Sequence, residues 1–549
     1  MRSLTRKQIR LSSNKSDFDS EHKQRHLSNT NAIGLGILGL AGLGYAWGVY
    51  TRNRAISQAP QSAAITKANE YLDVYHDLSD ENVEAAYKEF VSLLGPEHVS
   101  LNPHDLLTHS GSEFQSYKWI AETAETCHIV LYPHSTDEVS EITKICHRRR
   151  LPITPYSGGT SIEGQYITTG GVCIDFGKMD RILEVNVQDL DCTVQPGVRW
   201  QDLNEEVEKD GLFFPPDPGP GAMIGGMVGT GCSGTNAAAY GTMKDWVVSL
   251  TVVLSDGTII KTRQRPRKSS AGYDLTRMFV GSEGTLGLVT EATLKLAVKP
   301  TIETVAIATF PDIYTAARAV QTIMSRGIRV AAVELLDDIQ MSLINKAHIT
   351  TRVWEESPTL FFKVSGSTST IVDETTSIVK EITKRHGCKS FEHARSQAER
   401  EDLWSARKVA FWSMMALRES DTDKIWTTDV AVPLSKLADI IQETKDRIKA
   451  SGLTGSILGH VGDGNYHTLI LFDENKRQVA EELVHWMVER AIEMKGTSTG
   501  EHGIGLVKRD YLELELGKST VDTMRRMKIA FDPLCLLNCN KVIRVQKES

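Results

Sequence analysis

The chain has 549 residues, of which 40% are hydrophobic and 24% charged, and its formal net charge at pH 7 is −8. This length exceeds the roughly 100–200 residues of a single domain, so we expect several domains, each with its own core. Eight cysteines without Cys-x-x-Cys or Cys/His finger spacing exclude a disulfide scaffold and a zinc finger, and the acidic balance does not suit a nucleic-acid-binding protein.

Residues 1–31 have the composition of a mitochondrial targeting leader, although acids at Asp17, Asp19 and Glu21 are unusual in one. This segment carries seven basic and three acidic side chains, so the rest of the chain has a net charge of −12. Such a charge favours solubility and would also attract a basic partner, such as a small cytochrome.

Residues 32–50 form an uninterrupted run of nineteen uncharged residues, AIGLGILGLAGLGYAWGVY. As a helix this run would cover roughly 28 Å, close to the hydrocarbon thickness of a bilayer. Aromatic residues gather at its C-terminal end and basic residues precede it, so we predict one transmembrane anchor with the N-terminus inside. In the inner mitochondrial membrane the body of the protein would then face the intermembrane space. The alternative is the apolar core of a cleaved signal peptide.

A strand, helix, strand pattern begins after residues 51–121, which we interpret as a linker and an N-terminal helical segment. The apolar run HIVLYP (128–133) predicts a strand, residues 135–150 have apolar side chains at helical spacing, and LPITPY (151–156) predicts a second strand.

A loop rich in glycine and hydroxyl side chains follows this second strand. Paired glycines let successive backbone N–H groups converge on an anion, and hydroxyl groups add donors, so a pyrophosphate suits the loop. An ordinary tight loop is the alternative. The candidate residues here are Pro155, Ser157, Gly158, Gly159, Thr160 and Ser161.

Two more segments of small residues follow, at 214–241 and at 281–289, the second just before a predicted strand, TEATLKLAV. So many small side chains allow a large flat ligand to approach the backbone closely. The candidate contacts are Pro216, Asp217, Gly225, Gly226, Gly229, Gly234, Asn236, Gly241, Glu283, Gly284, Gly287 and Val289.

In this order the three segments resemble the FAD-binding domain of the vanillyl-alcohol oxidase or PCMH type, over residues 122–300. The resemblance implies two α+β subdomains with FAD between them and its diphosphate at the loop 157–161. Many relatives bind flavin covalently through a histidine near this loop. Here the corresponding residue is Thr160 and no histidine is close in sequence, so we expect non-covalent FAD.

The segment 301–520 alternates helical runs with strands. Residues 370–387 and 434–452 have helical spacing, whereas TLFFKVSG (359–366) and SILGHVG (456–462) predict strands. We therefore expect an α+β cap domain in which helices pack on an antiparallel sheet.

Two histidines flank a turn of Gly, Asp and Asn in GHVGDGNYH, residues 459–467. Such a turn can bring His460 and His467 to one point, and Glu501 in TGEHGIG offers a carboxylate. Two histidines and one carboxylate leave coordination positions open for substrate and suit Zn or Mn. A structural histidine pair is the alternative.

These segments resemble the D-2-hydroxy acid dehydrogenase branch of the same flavin family, over nearly all of residues 85–549. That branch includes D-lactate dehydrogenases, glycolate oxidase subunits and D-2-hydroxyglutarate dehydrogenases. The resemblance implies that the two histidines and Glu501 hold a divalent metal, for which we expect Zn, and that the adjacent His502 is the catalytic base.

The resemblance also implies a role for Arg407 in the stretch Trp404-Ser-Ala-Arg407, where it would hold the substrate carboxylate. A salt bridge on a helix surface is the alternative for this arginine. The C-terminal segment 521–549, which includes Asn538, matches the part of the family that returns to the flavin domain.

One departure from the family concerns the substrate. Relatives that act on 2-hydroxyglutarate have a lysine two residues before the Asp of DVAVP, where this chain has Thr427. A missing cation favours a short monocarboxylate such as D-lactate. The resemblance and the predicted membrane topology then imply FAD-dependent oxidation of D-lactate to pyruvate, with cytochrome c as electron acceptor. The alternatives are another D-2-hydroxy acid with a quinone or flavoprotein acceptor, and a non-redox FAD protein of the same fold.

Overall fold

A computed structural model describes residues 74–545, except 117, 119, 122, 169 and 421. The predicted leader and the predicted anchor at 32–50 therefore lie outside the described residues. Within the described part of the chain, no helix is both long and apolar enough to cross a bilayer.

The first sheet has four short strands, three of them parallel. Its segment contains α1 (Asp80–Leu94), β1 (Val99–Ser100), α2 (Pro103–Thr108), β2 (Ile129–Leu131), α3 (Thr136–Arg149), β3 (Ile153–Tyr156) and β4 (Val172–Asp175). The strand order is β1-β2-β4-β3, with β1 antiparallel to β2. The Ser135 side chain caps α3 by accepting a hydrogen bond from Glu138 N, and the apolar face of α3 is buried. The strand, helix and strand predicted from residues 128–156 are confirmed.

The second sheet has five strands, all antiparallel, in the order β5-β6-β10-β8-β9. Its segment contains β5 (Ile182–Asn186), β6 (Asp191–Val194), α4 (Trp200–Glu208), β7 (Leu212–Phe213), α5 (Ile224–Thr230), α6 (Ala237–Tyr240), α7 (Met243–Trp246), β8 (Val247–Val253), β9 (Ile259–Lys261), α8 (Leu275–Phe279), β10 (Leu288–Lys295) and β11 (Ala297–Val298). The strand predicted from TEATLKLAV corresponds to β10 and β11, and β11 pairs with β7 in a separate ribbon.

Residues 302–493 build a large antiparallel sheet with helices on both faces. The elements are β12 (Ile302–Thr309), α9 (Ile313–Ser325), β13 (Ala332–Leu336), α10 (Asp338–Ala347), β14 (Thr359–Gly366), α11 (Ser369–Arg385), β15 (Ser390–His393), α12 (Gln397–Met415), β16 (Lys424–Thr427), β17 (Val430–Ala431), α13 (Leu437–Ser451), β18 (Thr454–Gly459), β19 (Asn465–Phe472) and α14 (Arg477–Glu493). Two further helices, α15 (Leu512–Leu516) and α16 (Lys518–Phe531), pack with the C-terminal segment. The main strand order is β15-β12-β14-β13-β18-β19-β16.

Successive side chains along these strands point to opposite faces of the sheet, and each face has its own apolar core. Phe362 packs with α9, α11, α13 and α14 on one face, while the preceding residue, Phe361, packs with α10 and α12 on the other. The expected packing of helices on an antiparallel sheet is thus confirmed. The second face includes α12, which carries the candidate site residue Arg407.

The C-terminal segment lies beside β3 of the first sheet. Ile153 N donates to Leu536 O at 2.7 Å, and Asn538 N donates back to Ile153 O at 2.8 Å. A buried ion pair holds this segment: Lys528 Nζ donates to Asp532 Oδ2 at 2.6 Å and to Leu537 O at 2.6 Å. The pair and the backbone bonds fix where Asn538 lies.

We expect Lys528→Met to lower the free energy of unfolding by about 3–5 kcal/mol, because the carboxylate of Asp532 would stay buried without its cation. Urea denaturation followed by circular dichroism measures the loss. Lys518→Met is the matched control, since Lys518 pairs with Asp522 but its side chain is 65% exposed, and we expect a change below about 1 kcal/mol. Equal losses in the two variants would contradict the assigned role of the buried pair.

Candidate active site

A cavity of about 330 Å³ is lined by the loop after β3, by α5 and by the start of β10, so that both small sheets contribute to it. Glu501 and His502 reach the same cavity from the loop that follows α14. Most of the predicted flavin contacts line it, namely Pro155, Ser157, Gly158, Gly159, Thr160, Ser161, Gly225, Gly226, Gly229, Glu283, Gly284, Gly287, Val289 and Asn538.

Five predicted contacts do not line this cavity: Pro216, Asp217, Gly234, Asn236 and Gly241. Two of them stabilise their own segment, because the Asp217 carboxylate accepts hydrogen bonds from Thr235 Oγ1 and from Asn236 N. A Cβ atom on Gly234 would lie 2.5 Å from Asp217 O, so glycine is needed there for a close backbone approach. Burial raises the pKa of Asp217 to about 6, against the effect of these two donors.

The cavity has features that fit FAD. A Cβ atom on Gly226 would meet only the Ser157 side chain, at 3.7 Å, and one on Gly229 only the backbone of Glu283, at 3.8 Å. These glycines therefore leave open space where a flat ligand can lie against the helix backbone. The buried Asn538 Oδ1 atom has no hydrogen-bond partner among the described residues, and a heterocycle with N–H groups can supply one.

We expect Gly226→Ala to raise the Kd for FAD about 5–150-fold, because a methyl group would occupy space needed by the ligand and reduce the binding free energy by about 1–3 kcal/mol. Flavin fluorescence titration of the apoprotein measures the change. The apoprotein should keep its stability, since the added methyl meets no backbone atom within 3.4 Å. Gly225→Ala is the contrasting variant, because its Cβ would lie 2.6 Å from Pro196 Cβ and should destabilise the protein itself. Unchanged FAD affinity in Gly226→Ala would contradict this placement.

The hairpin β18–β19 brings the two predicted histidines together. Their ring centroids are 5.3 Å apart. His460 Nε2 lies 3.0 Å and His467 Nε2 lies 3.3 Å from the same oxygen, Glu501 Oε1. Ser233 Oγ donates to the other oxygen of Glu501 at 2.6 Å. Three candidate ligand atoms thus face one point at the edge of the cavity.

The charges of this cluster are strongly coupled. Burial would lower the pKa of His460, but the carboxylates of Glu334 and Glu501 raise it well above the ordinary value. Burial likewise would raise the pKa of Glu501, but the two neighbouring imidazoles hold it well below the usual range. Two imidazole nitrogens beside an ionised carboxylate form a donor set that fits Zn or Mn.

The ring of His502 stacks on that of His467, with centroids 5.1 Å apart and ring planes at 12°. His502 Nδ1 lies 3.4 Å from Glu163 Oε1, and the backbone N–H of His502 donates to Asp429 Oδ2 at 2.9 Å. Burial would lower the pKa of His502, but the nearby carboxylates of Asp429 and Glu163 raise it above the ordinary value.

Arg407 does not line the large cavity, and it does not lie on an exposed helix surface either. Its Nε atom donates to Glu334 Oε2 at 2.7 Å, and Glu334 is fully buried. The alternative of a surface salt bridge is therefore wrong, because the partner of this arginine lies in the interior and also contacts His460.

Thr427 lies apart from the large cavity and lines a second one of about 70 Å³. The two cavities share only Ile162, and Lys424 also lines the small one. The position of Thr427 therefore does not support the argument that the absence of a lysine at this residue favours a monocarboxylate substrate.

Sequence reasoning missed four buried charges around the site: Glu163, Glu334, Asp429 and Lys508. Lys508 Nζ lies 3.2 Å from Glu163 Oε1 and donates to Asp429 O at 3.0 Å. Two of them had a signal, because Glu334 interrupts the apolar run AAVELL and Asp429 interrupts TTDVAV. A carboxylate within a buried segment of the chain needs a partner, and this need marks it as a candidate site residue.

Comparison with known proteins agrees with this geometry. A family model described as an FAD binding domain matches residues 127–263, and one described as FAD linked oxidases, C-terminal domain, matches residues 299–542. The chain is 48% identical over 457 residues to the mitochondrial D-lactate dehydrogenase [cytochrome] of Kluyveromyces lactis, covering 82% of this chain and 79% of that protein. It is 45% identical to D-lactate dehydrogenase [cytochrome] 1 of Saccharomyces cerevisiae, covering 86% and 81%.

The solved structure of 4-ethylphenol oxidase from Gulosibacter chungangensis superposes with a TM-score of 0.71 over 86% of this chain and 99% of that one. At 17% sequence identity this likeness shows the fold alone, and it confirms the expected PCMH-type architecture. The similarity to the two yeast proteins extends over most of each chain, so this chain belongs to the family of FAD-linked D-lactate dehydrogenases (cytochrome).

Proposed function

We propose that this chain is an FAD-dependent D-lactate dehydrogenase that oxidises D-lactate to pyruvate and passes the electrons to cytochrome c. The observation that carries the proposal is the convergence of His460, His467, Glu501 and His502 at one edge of the glycine-lined cavity. Membership of a family whose relatives are named for this reaction supports it.

Two groups complete the site. FAD, held without a covalent bond by the loop 157–161, the glycines of α5 and Asn538, supplies the hydride acceptor. A divalent cation, for which Zn is our expectation, is held by His460, His467 and Glu501 and supplies a Lewis acid that lowers the pKa of the substrate hydroxyl.

The side chains of the protein do the rest. Arg407 binds the substrate carboxylate and so orients the α-hydrogen, because a guanidinium holds a carboxylate through two parallel hydrogen bonds. His502 takes the hydroxyl proton as general base. Glu163 and Asp429 fix the position of His502, through its Nδ1 edge and its backbone N–H. Apolar side chains and glycines form much of the cavity wall, so bound FAD would displace water from this part of the site.

The cellular setting follows from the N-terminal sequence and the relatives. We place the protein in the mitochondrion, where residues 1–31 serve as leader and residues 32–50 anchor it in the inner membrane. The acidic body then faces the intermembrane space, where a basic cytochrome is available as acceptor.

Anaerobic mixing of the purified, FAD-loaded protein with hydroxy acids tests the function. Flavin absorbance should bleach with D-lactate and much less with L-lactate, glycolate or D-2-hydroxyglutarate. The reduced protein should then reduce added cytochrome c. Bleaching by D-2-hydroxyglutarate alone would show that this acid, and not D-lactate, is the substrate, while the proposed type of reaction would stand. A protein that contains FAD and metal yet is bleached by none of these acids would refute the dehydrogenase function and favour a non-redox role.

A further inference from the structure

Glu334 is a charged residue in the middle of a buried strand. All five residues of β13 (Ala332–Leu336) are buried, and Glu334 is 0% exposed. Taking a carboxylate out of water costs several kcal/mol unless partners compensate its charge and its hydrogen-bonding capacity. The partners of Glu334 therefore indicate why this position is not apolar.

Both oxygens of Glu334 face groups of the candidate site. His460 Nδ1 lies 2.8 Å from Oε1, and Arg407 Nε donates to Oε2 at 2.7 Å. The strand register explains the first contact, because Leu335 pairs with Gly459 and so sets His460 beside Glu334. Arg407 reaches the other oxygen from α12, which covers the same face of the sheet.

We propose that Glu334 is a positioning residue that serves the metal ligand and the substrate-binding arginine at the same time. By accepting the Nδ1–H of His460 it fixes the tautomer whose Nε2 lone pair is free for a metal, on the side of Glu501. By accepting from Arg407 Nε it leaves the other guanidinium donors for a substrate carboxylate. The inference rests on the proposed function, because it assumes the roles given there to His460 and Arg407.

Only a carboxylate can meet both demands. A glutamine of the same size has one acceptor oxygen and one donor NH₂ group. If its oxygen faces Arg407, the NH₂ group turns to His460 and stabilises the tautomer with a proton on Nε2, which cannot bind a metal. If its oxygen faces His460, the NH₂ group opposes the Nε–H of Arg407. Either arrangement gives up one of the two functions.

The test compares Glu334→Gln with wild type and with Asp337→Asn in the full-length, FAD-loaded protein. Asp337 is the matched control, because it is a buried carboxylate just after the same strand, is paired with Lys445, and does not line the cavity. The first readout is the Kd for Zn²⁺, measured in metal-stripped protein by competition with a chromophoric chelator. The second readout is kcat and KM for D-lactate at saturating Zn²⁺.

We expect Glu334→Gln to raise the Kd for Zn²⁺ or the KM for D-lactate by about 10–100-fold, while Asp337→Asn stays within about twofold of wild type in both. Unchanged values in Glu334→Gln, or equal changes in Asp337→Asn, would overturn the proposal. Glu334→Asp serves if the glutamine variant does not fold. Its shorter side chain cannot reach both partners, so at least one of the two constants must still shift.

The two readouts also distinguish a failure of this inference from a failure of the proposed function. If D-lactate fails to reduce the flavin of the wild-type protein, the proposed function is lost. The Zn²⁺ titration still tests whether Glu334 positions His460, because that measurement requires no substrate.

Discussion

His502→Gln is expected to slow flavin reduction by D-lactate about 10²–10⁴-fold, the usual contribution of a general base. Glutamine keeps much of the volume of imidazole but cannot take a proton from the hydroxyl group. The backbone bond from residue 502 to Asp429 and the contacts of the FAD cavity should persist. Anaerobic stopped-flow measurement of flavin bleaching at saturating D-lactate gives the rate directly.

The matched control is His485→Gln. His485 lies on α14 with its side chain 57% exposed, near Tyr511 and Glu489 and outside the cavity lining. It should leave the bleaching rate within about twofold of wild type, as is usual for surface changes. A His502→Gln protein with full FAD content and a normal rate would show that another group takes the proton.

Glu501→Gln is expected to reduce bound metal and to slow flavin reduction about 10³-fold. The physical reason is that the amide lacks the negative charge that binds a divalent cation, and the Lewis acid contributes several kcal/mol. Glutamine still offers an oxygen to Ser233 Oγ, so the local packing is expected to hold. Metal content per FAD, measured by plasma emission spectrometry, and the bleaching rate are the two measurements.

Chelation of the wild-type protein provides the comparison for this variant. Stripped wild-type protein should lose its rate and recover it when Zn²⁺ or Mn²⁺ is added back, whereas Glu501→Gln should not recover at the same metal concentration. Glu443→Gln is the control substitution, because Glu443 pairs with Arg490 near the surface and does not line the cavity. Full activity of metal-free wild-type protein would show that the reaction does not require a metal.

These two variants probe residues named from the sequence, His502 through the family resemblance and Glu501 also through the donor set that it forms with two histidines. The Gly/Asp/Asn turn was expected to bring His460 and His467 together, and their ring centroids are 5.3 Å apart. The glycine-rich loop after β3, which the sequence offered as a cofactor loop, lines the cavity. Metal binding and FAD contacts at these residues stay predictions until they are measured.

The segment 214–241 shows the limit of composition as a guide. Its small residues suggested ligand contacts throughout; residues between Pro218 and Cys232 line the cavity, whereas Asp217 and Asn236 bond to each other within the segment. Glycine permits close approach of any backbone, and composition cannot distinguish a ligand from another turn of the same chain.

The sequence by itself determined most element types, and it offered the candidate cofactor loop and the candidate metal ligands, since these depend on local periodicity, turn chemistry and motif spacing. Only the tertiary structure decided which charges surround them. Glu163, Glu334 and Asp429 come from distant parts of the chain and meet the site through strand register and helix packing. An interrupted apolar run can mark a buried carboxylate such as Glu334, but its partners are fixed by long-range contacts, so no local pattern could identify those partners.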